Sequence, residues 1–200
     1  TGLYASMPNY PARGDIASAK ALLDSAGIKP DANGVRIRAI LDLIPYGEDW
    51  RRAGEYLKQV LGDIGIKLEL RYEDVPTWLK RIYHNYDFVM NVNYFYQLPD
   101  PVLGVHRHYG TDQIRKGTHF VNSSRYSNSE LDELLASGAT EANAQKRTQI
   151  YKKIQEILAR DMPVVNLFEL QFLTVYNTKL KGAYNSALGA YASFSEAYLD

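Results

Sequence analysis

The sequence predicts an α/β fold: an open, mainly parallel sheet with helices on both faces. Three observations carry that expectation. Strand-like apolar runs alternate with helix-period stripes in the order β-α-β-α-β over residues 35–93. Their connections are short, a pattern that makes parallel strands joined by right-handed crossovers. The 200 residues suffice for one to two domains with a real core, at roughly 150 residues each. Hydrophobic content of 46% and charged content of 23% match globular composition and exclude disordered and fibrous classes.

Each element has its own signal. Asp15 followed by Ile16, Ala19, Leu22, Leu23 and Ala26, then Gly27 and Pro30, reads as a capped helix with its stop signals. Asp31-Ala32-Asn33-Gly34 is a turn, since it lacks the acidic spacing and distal Glu of a calcium loop. Val35–Ile44, rich in Val, Ile and Leu, is a strand. Glu48–Ile64 is a helix with Trp50, Ala53, Leu57, Val60, Leu61 and Ile64 on one stripe, and Gly65 supplies its stop. Ile66–Glu73 alternates as a strand, Pro76 opens a short helix through His84, and Tyr86–Asn93 is a further strand. In the second half, Ser127-x-x-Glu130 reads as a capping box for a helix to Leu135, with Gly138 beyond it. Asn143 caps a long helix to about Arg160, and Met162–Leu173 reads as a last apolar strand belonging to the sheet. No internal repeat or low-complexity segment appears.

Composition also bounds function. Twenty-three basic residues balance 23 acidic ones, which argues against a nucleic-acid partner. With no cysteine there is no disulfide framework, thiolate nucleophile or Cys-type zinc site. Thr1–Pro11 has neither a charged n-region nor an apolar h-region, so no signal peptide is read within this chain. Val164–Tyr176, interrupted by Asn166, Glu169 and Gln171, falls short of the roughly 18 apolar residues of a membrane span. Tyrosine is in excess: 16 residues, against six Phe and two Trp. Tyr suits surfaces where an apolar ring must also offer a hydroxyl.

Open α/β sheets bind ligands beyond the carboxyl ends of their strands. Two loops qualify. Ile44-Pro45-Tyr46-Gly47-Glu48-Asp49 leads into a helix N-terminus, where the two carboxylates either complement the helix end or stand beside a ligand. Tyr94-Phe95-Tyr96-Gln97-Leu98-Pro99-Asp100-Pro101 places three consecutive aromatics, an amide and a Pro-Asp-Pro turn at a strand end. Strand alternation sends some of those rings to the core and others to solvent or ligand. The candidate ligand-binding set is Tyr46, Gly47, Asn91, Tyr94, Tyr96 and Gln97.

Catalytic constellations are missing: there is no G-x-S-x-G elbow, Walker A loop or G-x-G-x-x-G. His106-x-His108 with His119 invites a metal reading, but histidines at i,i+2 do not share a helix face and the segment after Pro101 looks helical. No acidic residue is counted near enough in sequence to complete a set, so these are read as solvated or capping histidines. No metal, cofactor or catalytic residue is expected.

Several ordered signatures resemble the C-terminal part of family 5 extracellular solute-binding proteins. They are Ala19-Lys20-Ala21-Leu22-Leu23 with Ala26-Gly27, Tyr56-Leu57-Lys58-Gln59-Val60-Leu61 with Ile64-Gly65-Ile66, and Tyr86-Asp87-Phe88 running on to Pro99-Asp100-Pro101. Asn122, Tyr126-Ser127-Asn128 with Leu131-Asp132, and Arg147 with Tyr151-Lys152-Lys153-Ile154-Gln155 and Asp161-Met162-Pro163 complete the set. The resemblance implies a type II periplasmic-binding-protein-like lobe with sheet order 2-1-3 plus a returning strand. It implies the receptor of an ABC importer, a family that takes up peptides, nickel, opines and oligosaccharides. Residues 1–171 would form the C-terminal ligand-binding lobe, and 172–200 a return segment packing on an N-terminal lobe built from earlier sequence. The implied partners are a small-molecule or peptide ligand, that N-terminal lobe and an ABC permease in the membrane. The implied location is periplasmic or the extracellular face of the membrane.

In peptide-binding members an Asp that accepts the ligand's α-ammonium stands three residues before the Asp/Glu-Pro pair, and a Trp three before that. This sequence has Gln97 and Tyr94 there. A Gln cannot neutralise an ammonium, so the departure favours a neutral or anionic polar solute, with sugars or opine-like compounds as candidates. Two rival readings stand beside the receptor: a self-standing α/β protein-interaction domain, and a histidine-dependent metalloenzyme.

Overall fold

The computed structural model describes residues 14–96, 100–170, 174–183 and 193–200. By its contacts the chain divides into two compact units, Thr1–Val164 and Val165–Asp200.

The first unit begins with α1 (Ile16–Ser25), capped by Asp15, whose carboxylate accepts from the Ser18 N–H at 2.9 Å and the Ser18 hydroxyl at 2.6 Å. The expected turn follows, with Asp31 accepting from the backbone N–H groups of Asn33 and Val35. Arg36 then ties α1 to the sheet by donating to Asp24 and to the Ile28 carbonyl, both at 2.7 Å.

Strands β1 (Ile37–Leu43), β2 (Ile66–Arg71) and β3 (Met90–Val92) form a parallel sheet in the order β2-β1-β3, as the resemblance implied. The crossover between β1 and β2 is α2 (Glu48–Gly62). The crossover between β2 and β3 is α3 (Val75–Leu79), which runs directly into a π-helical turn, Lys80–Asn85. Neighbouring residues of β1 point to opposite faces and show what covers each. Leu43 faces α2, so closely that a Cβ on Gly54 would stand 2.5 Å from a Leu43 methyl. Asp42 faces the other side, where Arg71 grips it through two hydrogen bonds of 2.6 and 2.8 Å and Arg81 of the π-turn approaches to 3.8 Å. Asp42 and Arg71 are register partners on adjacent strands, so a buried carboxylate meets its counter-charge without any chain rearrangement. The core around the sheet comprises Leu41, Leu43, Ile44, Leu68 and Val92, with Trp50 from α2 and Trp78, Ile82 and Tyr83 from the α3–π segment.

After β3 the chain forms short helical turns at Pro101–Leu103 and Thr111–Gln113 around α4 (Val105–Tyr109), then α5 (Ser129–Thr140) and α6 (Ala144–Asp161). The helices α5 and α6 pack on each other through Leu131, Leu135, Tyr151, Ile154 and Ile157. Gly138 permits the approach, since a Cβ there would meet the Tyr151 ring at 3.1 Å. Two sequence expectations change here. The cap of α5 is Asn128, accepting from the Leu131 N–H at 3.1 Å, rather than Ser127, and the helix runs on through Gly138. Ser127 instead receives a hydrogen bond from the Thr111 hydroxyl at 3.0 Å.

The last apolar strand is also corrected. Met162 takes a left-handed conformation that ends α6, and residues 165–170 follow as exposed irregular chain without ladder partners. Residues 171–173 lie outside the described set. Apolar content alone does not make a strand: backbone N–H and C=O groups need a neighbouring segment to bond, and residues 165–170 have no ladder partner among the described strands. In that second unit, β4 (Leu180–Lys181) and β5 (Tyr198–Leu199) form a two-residue antiparallel ladder. No described helix is long and apolar enough to cross a membrane.

Candidate functional site

The loops after β1 and β3 meet at the carboxyl end of the sheet. The Ile44 N–H donates to the Val92 carbonyl at 3.1 Å, which carries the β1–β3 pairing one residue beyond β1. The Tyr46 N–H then donates back to the Ile44 carbonyl at 2.9 Å, closing a tight turn. Gly47 follows at φ +114°, a conformation side chains strongly disfavour, and starts α2 without a side-chain cap. Glu48 and Asp49 lie in the first turn of α2, where their charge complements the helix dipole.

On this turn stands a ladder of aromatic rings. Trp50, 8% exposed, is the floor. Tyr94 stacks on it at 5.4 Å and 23°. Tyr46 and Tyr96 meet Tyr94 edge-on, at 5.8 and 5.6 Å, and are 42% and 47% exposed. The cluster thus grades from a buried indole to two exposed phenols, offering apolar faces with hydroxyls at their rims. Its backbone is held from beneath. Asn93 accepts the Tyr94 N–H at 2.8 Å and donates to the Tyr83 hydroxyl at 2.7 Å. Burial pushes the Tyr83 phenol up to about 12, so it stays a neutral partner in this network.

Of the residues singled out from sequence, Tyr46, Gly47, Tyr94 and Tyr96 are therefore brought together. Asn91 lies in the β3 ladder in register with Asp42, half-buried and one strand face away from the ring stack. Gln97 lies outside the described residues. Sequence reasoning missed Trp50 as the floor, having assigned it to the core stripe, and missed Asn93 as the anchor of Tyr94. A polar residue at the strand end, directly before the aromatic run, was the available signal for Asn93.

Asp100, the acid of the Pro-Asp-Pro sequence, is committed to structural contacts. Asp100 accepts the Val102 N–H at 2.9 Å as the cap of the Pro101–Leu103 turn, and pairs with Arg147 at 2.7 Å. That pairing holds the Asp100 carboxyl below its ordinary range. Arg147 donates also to the Gly138 carbonyl, so the Asp100-capped turn Pro101–Leu103 is bolted to α5 and α6.

The three histidines considered for a metal go to three different places. His106 meets Asp112 at 3.1 Å, an acidic partner six residues on that the sequence reading overlooked. His108 is buried against the Phe95 ring rather than solvated, and His119 faces His84. Among the described residues no three His, Cys, Asp or Glu side chains gather as a metal set. Two surface concavities, one lined by Thr174, Tyr176, Thr178 and Lys181 and one by Glu55, Tyr56, Lys58 and Gln59, are open to solvent and do not include the ring ladder.

Comparison with known proteins gives one answer. The family model described as bacterial extracellular solute-binding proteins, family 5 Middle, matches residues 1–116. The peptide transport periplasmic protein SapA of Haemophilus influenzae is 24% identical over 151 residues, covering 74% of this chain and 26% of its own length. Di/tripeptide-binding protein 3 of Pseudomonas aeruginosa is 22% identical over 178 residues, 89% of this chain and 32% of its own. Among solved structures, AppA from Clostridium difficile superposes with a TM-score of 0.76 at 26% identity, over 93% of this chain and 37% of that one. The chain thus spans between a quarter and a third of the two curated relatives.

Proposed function

Because the chain belongs to the family 5 bacterial extracellular solute-binding proteins, we propose that it is one ligand-binding lobe of an ABC-importer receptor. The solute is held between this lobe and a second one, hinge closure traps it, and the closed form delivers it to a membrane permease. The location is the periplasm or the outer face of the membrane. The observation that carries the reading is the Trp50–Tyr94–Tyr46–Tyr96 ladder at the carboxyl ends of β1 and β3, where an open α/β sheet takes its ligands.

In this reading Tyr46, Tyr94 and Tyr96 offer ring faces and hydroxyls, Gly47 lets the solute approach backbone, and Gln97 supplies an amide, while Asn91, on the other strand face, takes no part. The names of two relatives, a peptide transport protein and a di/tripeptide-binding protein, support short peptides as one class of candidate solute. Gln97, standing where peptide-binding members carry the ammonium-accepting Asp, favours a solute without a free amino terminus: a blocked peptide, an opine or an oligosaccharide. The return segment 172–200 packs on the second lobe, which accounts for the exposure of Val175, Tyr176 and Tyr198 in this chain.

The test is a thermal-shift screen of the full-length receptor against tetra-alanine, N-acetylated tetra-alanine, opines and oligosaccharides. At least one uncharged or anionic solute is expected to raise the melting temperature, and Tyr94→Ala to remove that rise. A receptor that folds yet answers to none of them, or a Tyr94→Ala variant that binds unchanged, would overturn the reading.

A further inference from the structure

We propose that His84 and His119 form a binding site for a borderline divalent transition-metal ion of the Zn²⁺ and Ni²⁺ class, separate from the solute site. Their Nε2 atoms stand 3.3 Å apart and their ring centroids 5.4 Å, so the two imidazoles meet through these nitrogens. Two imidazole nitrogens bound at about 2.0–2.1 Å to one tetrahedral ion lie about 3.3–3.4 Å from each other. The spacing an ion needs is therefore already present. In the metal-free pair one ring donates its N–H to the other. When an ion binds, the donating ring carries its proton on Nδ1 instead, and both Nε2 lone pairs go to the metal.

The two residues come from segments 35 positions apart that share an anchor. His84 lies in the π-turn Lys80–Asn85, directly after the buried Tyr83. His119 follows a loop fastened to the same residue, with the Gly117 N–H donating to the Tyr83 carbonyl at 2.8 Å. Gly117 takes φ +85° there, and the Tyr83 ring packs 5.8 Å from the His119 ring. Both imidazoles thus project from backbone fastened at one core residue, Tyr83, which limits the freedom lost when an ion joins them. Both rings are exposed, so water can fill the remaining coordination positions. A donor set of imidazoles without carboxylate selects Zn²⁺, Ni²⁺ or Cu²⁺ over Mg²⁺ and Ca²⁺. The bound ion cross-links the π-turn to the 115–119 loop and raises thermal stability by linkage.

Isothermal titration of this chain with ZnCl₂ and NiCl₂ at neutral pH tests the site, with MgCl₂ as control. Expected are one ion per chain, a weakening of about tenfold or more in His84→Gln and in His119→Gln, and no change in His106→Gln. Zn²⁺ should also raise the melting temperature, and EDTA should reverse the rise. Melting temperatures without metal show whether the two variants remain folded. In the unmutated chain, Zn²⁺-induced NMR shifts confined to the His84 and His119 ring protons give the same answer without substitution. Absence of binding, binding that survives both variants, loss of binding in His106→Gln, or an equal response to Mg²⁺ would each overturn the proposal.

Discussion

Asp42 is a charge placed in the core and kept there by geometry. Its carboxylate is almost fully buried, and Arg71 meets it with two parallel donors while Arg81 adds a second positive charge. Arg81 is itself held by Glu73, at 2.6 Å, and by Asp87. Removing one member of a buried pair leaves the other uncompensated, so Asp42→Ala is expected to lower the unfolding free energy by about 3 kcal/mol in urea titrations. A loss below about 1 kcal/mol would show that the buried carboxylate and its arginine partners contribute little to the fold. His108 is the converse case, a titratable ring buried neutral. Burial, with Arg107 adding to it, pushes its pKa from 6.5 down to about 4. Between those values the unfolded chain takes up a proton that the folded one refuses. The contribution of His108 is therefore complete above about pH 6.5 and is lost as the pH falls toward 4, an effect on the order of 3 kcal/mol. Urea midpoints at the two pH values should differ accordingly, and His108→Leu should flatten that slope. An NMR titration of the His108 ring that gives an ordinary midpoint would refute it. Glu73 acts lower on the scale. Arg81 holds it below its ordinary 4.5, so its share persists above that value and fades as the pH falls further.

At the scale of elements, two glycines set how closely helices dock. Gly54 lets α2 lie against β1, with Leu43 filling the space a side chain would need. Gly54→Val is expected to cost about 2–3 kcal/mol through overpacking, read as a lowered urea midpoint with an unchanged slope. Gly138 plays the same part between α5 and α6 against Tyr151. Sequence reasoning took Gly138 as the boundary of a helix, because glycine is a poor helix former and a common stop. Its use as a contact surface depends on Tyr151 of α6, which no local rule can see. The caps behaved differently. Asp15 and Asn143 act on backbone three residues away, so their roles were readable from neighbours alone, although the same rule set the α5 cap at Ser127, one residue before Asn128. Asn143→Ala should therefore cost about 1 kcal/mol, and a stability equal to that of the parent would show that the cap is not needed.

At the scale of the whole molecule, the receptor reading predicts that this chain by itself binds solute at least about a hundredfold more weakly than the two-lobed receptor, because half of the contacts lie on the other lobe. Calorimetry of both with the best solute from the screen decides it, and equal affinities would place the whole site on this lobe. The sheet order β2-β1-β3 was implied by the family resemblance, while the alternation of strands and helices in a parallel sheet was legible in the residues themselves, since periodicity is local and the connections are short. The aromatic excess pointed to the Tyr94–Tyr96 loop for the same reason. Only the tertiary structure decided which rings share a surface. Trp50 belongs to a helix stripe and Tyr94 to a strand end, and they stack because α2 starts where β1 ends. Only the tertiary structure separated His106, His108 and His119 and paired His119 with His84, 35 residues earlier. It also left residues 165–170 without a ladder, because a strand is a relation between two segments, while apolar content is a property of one.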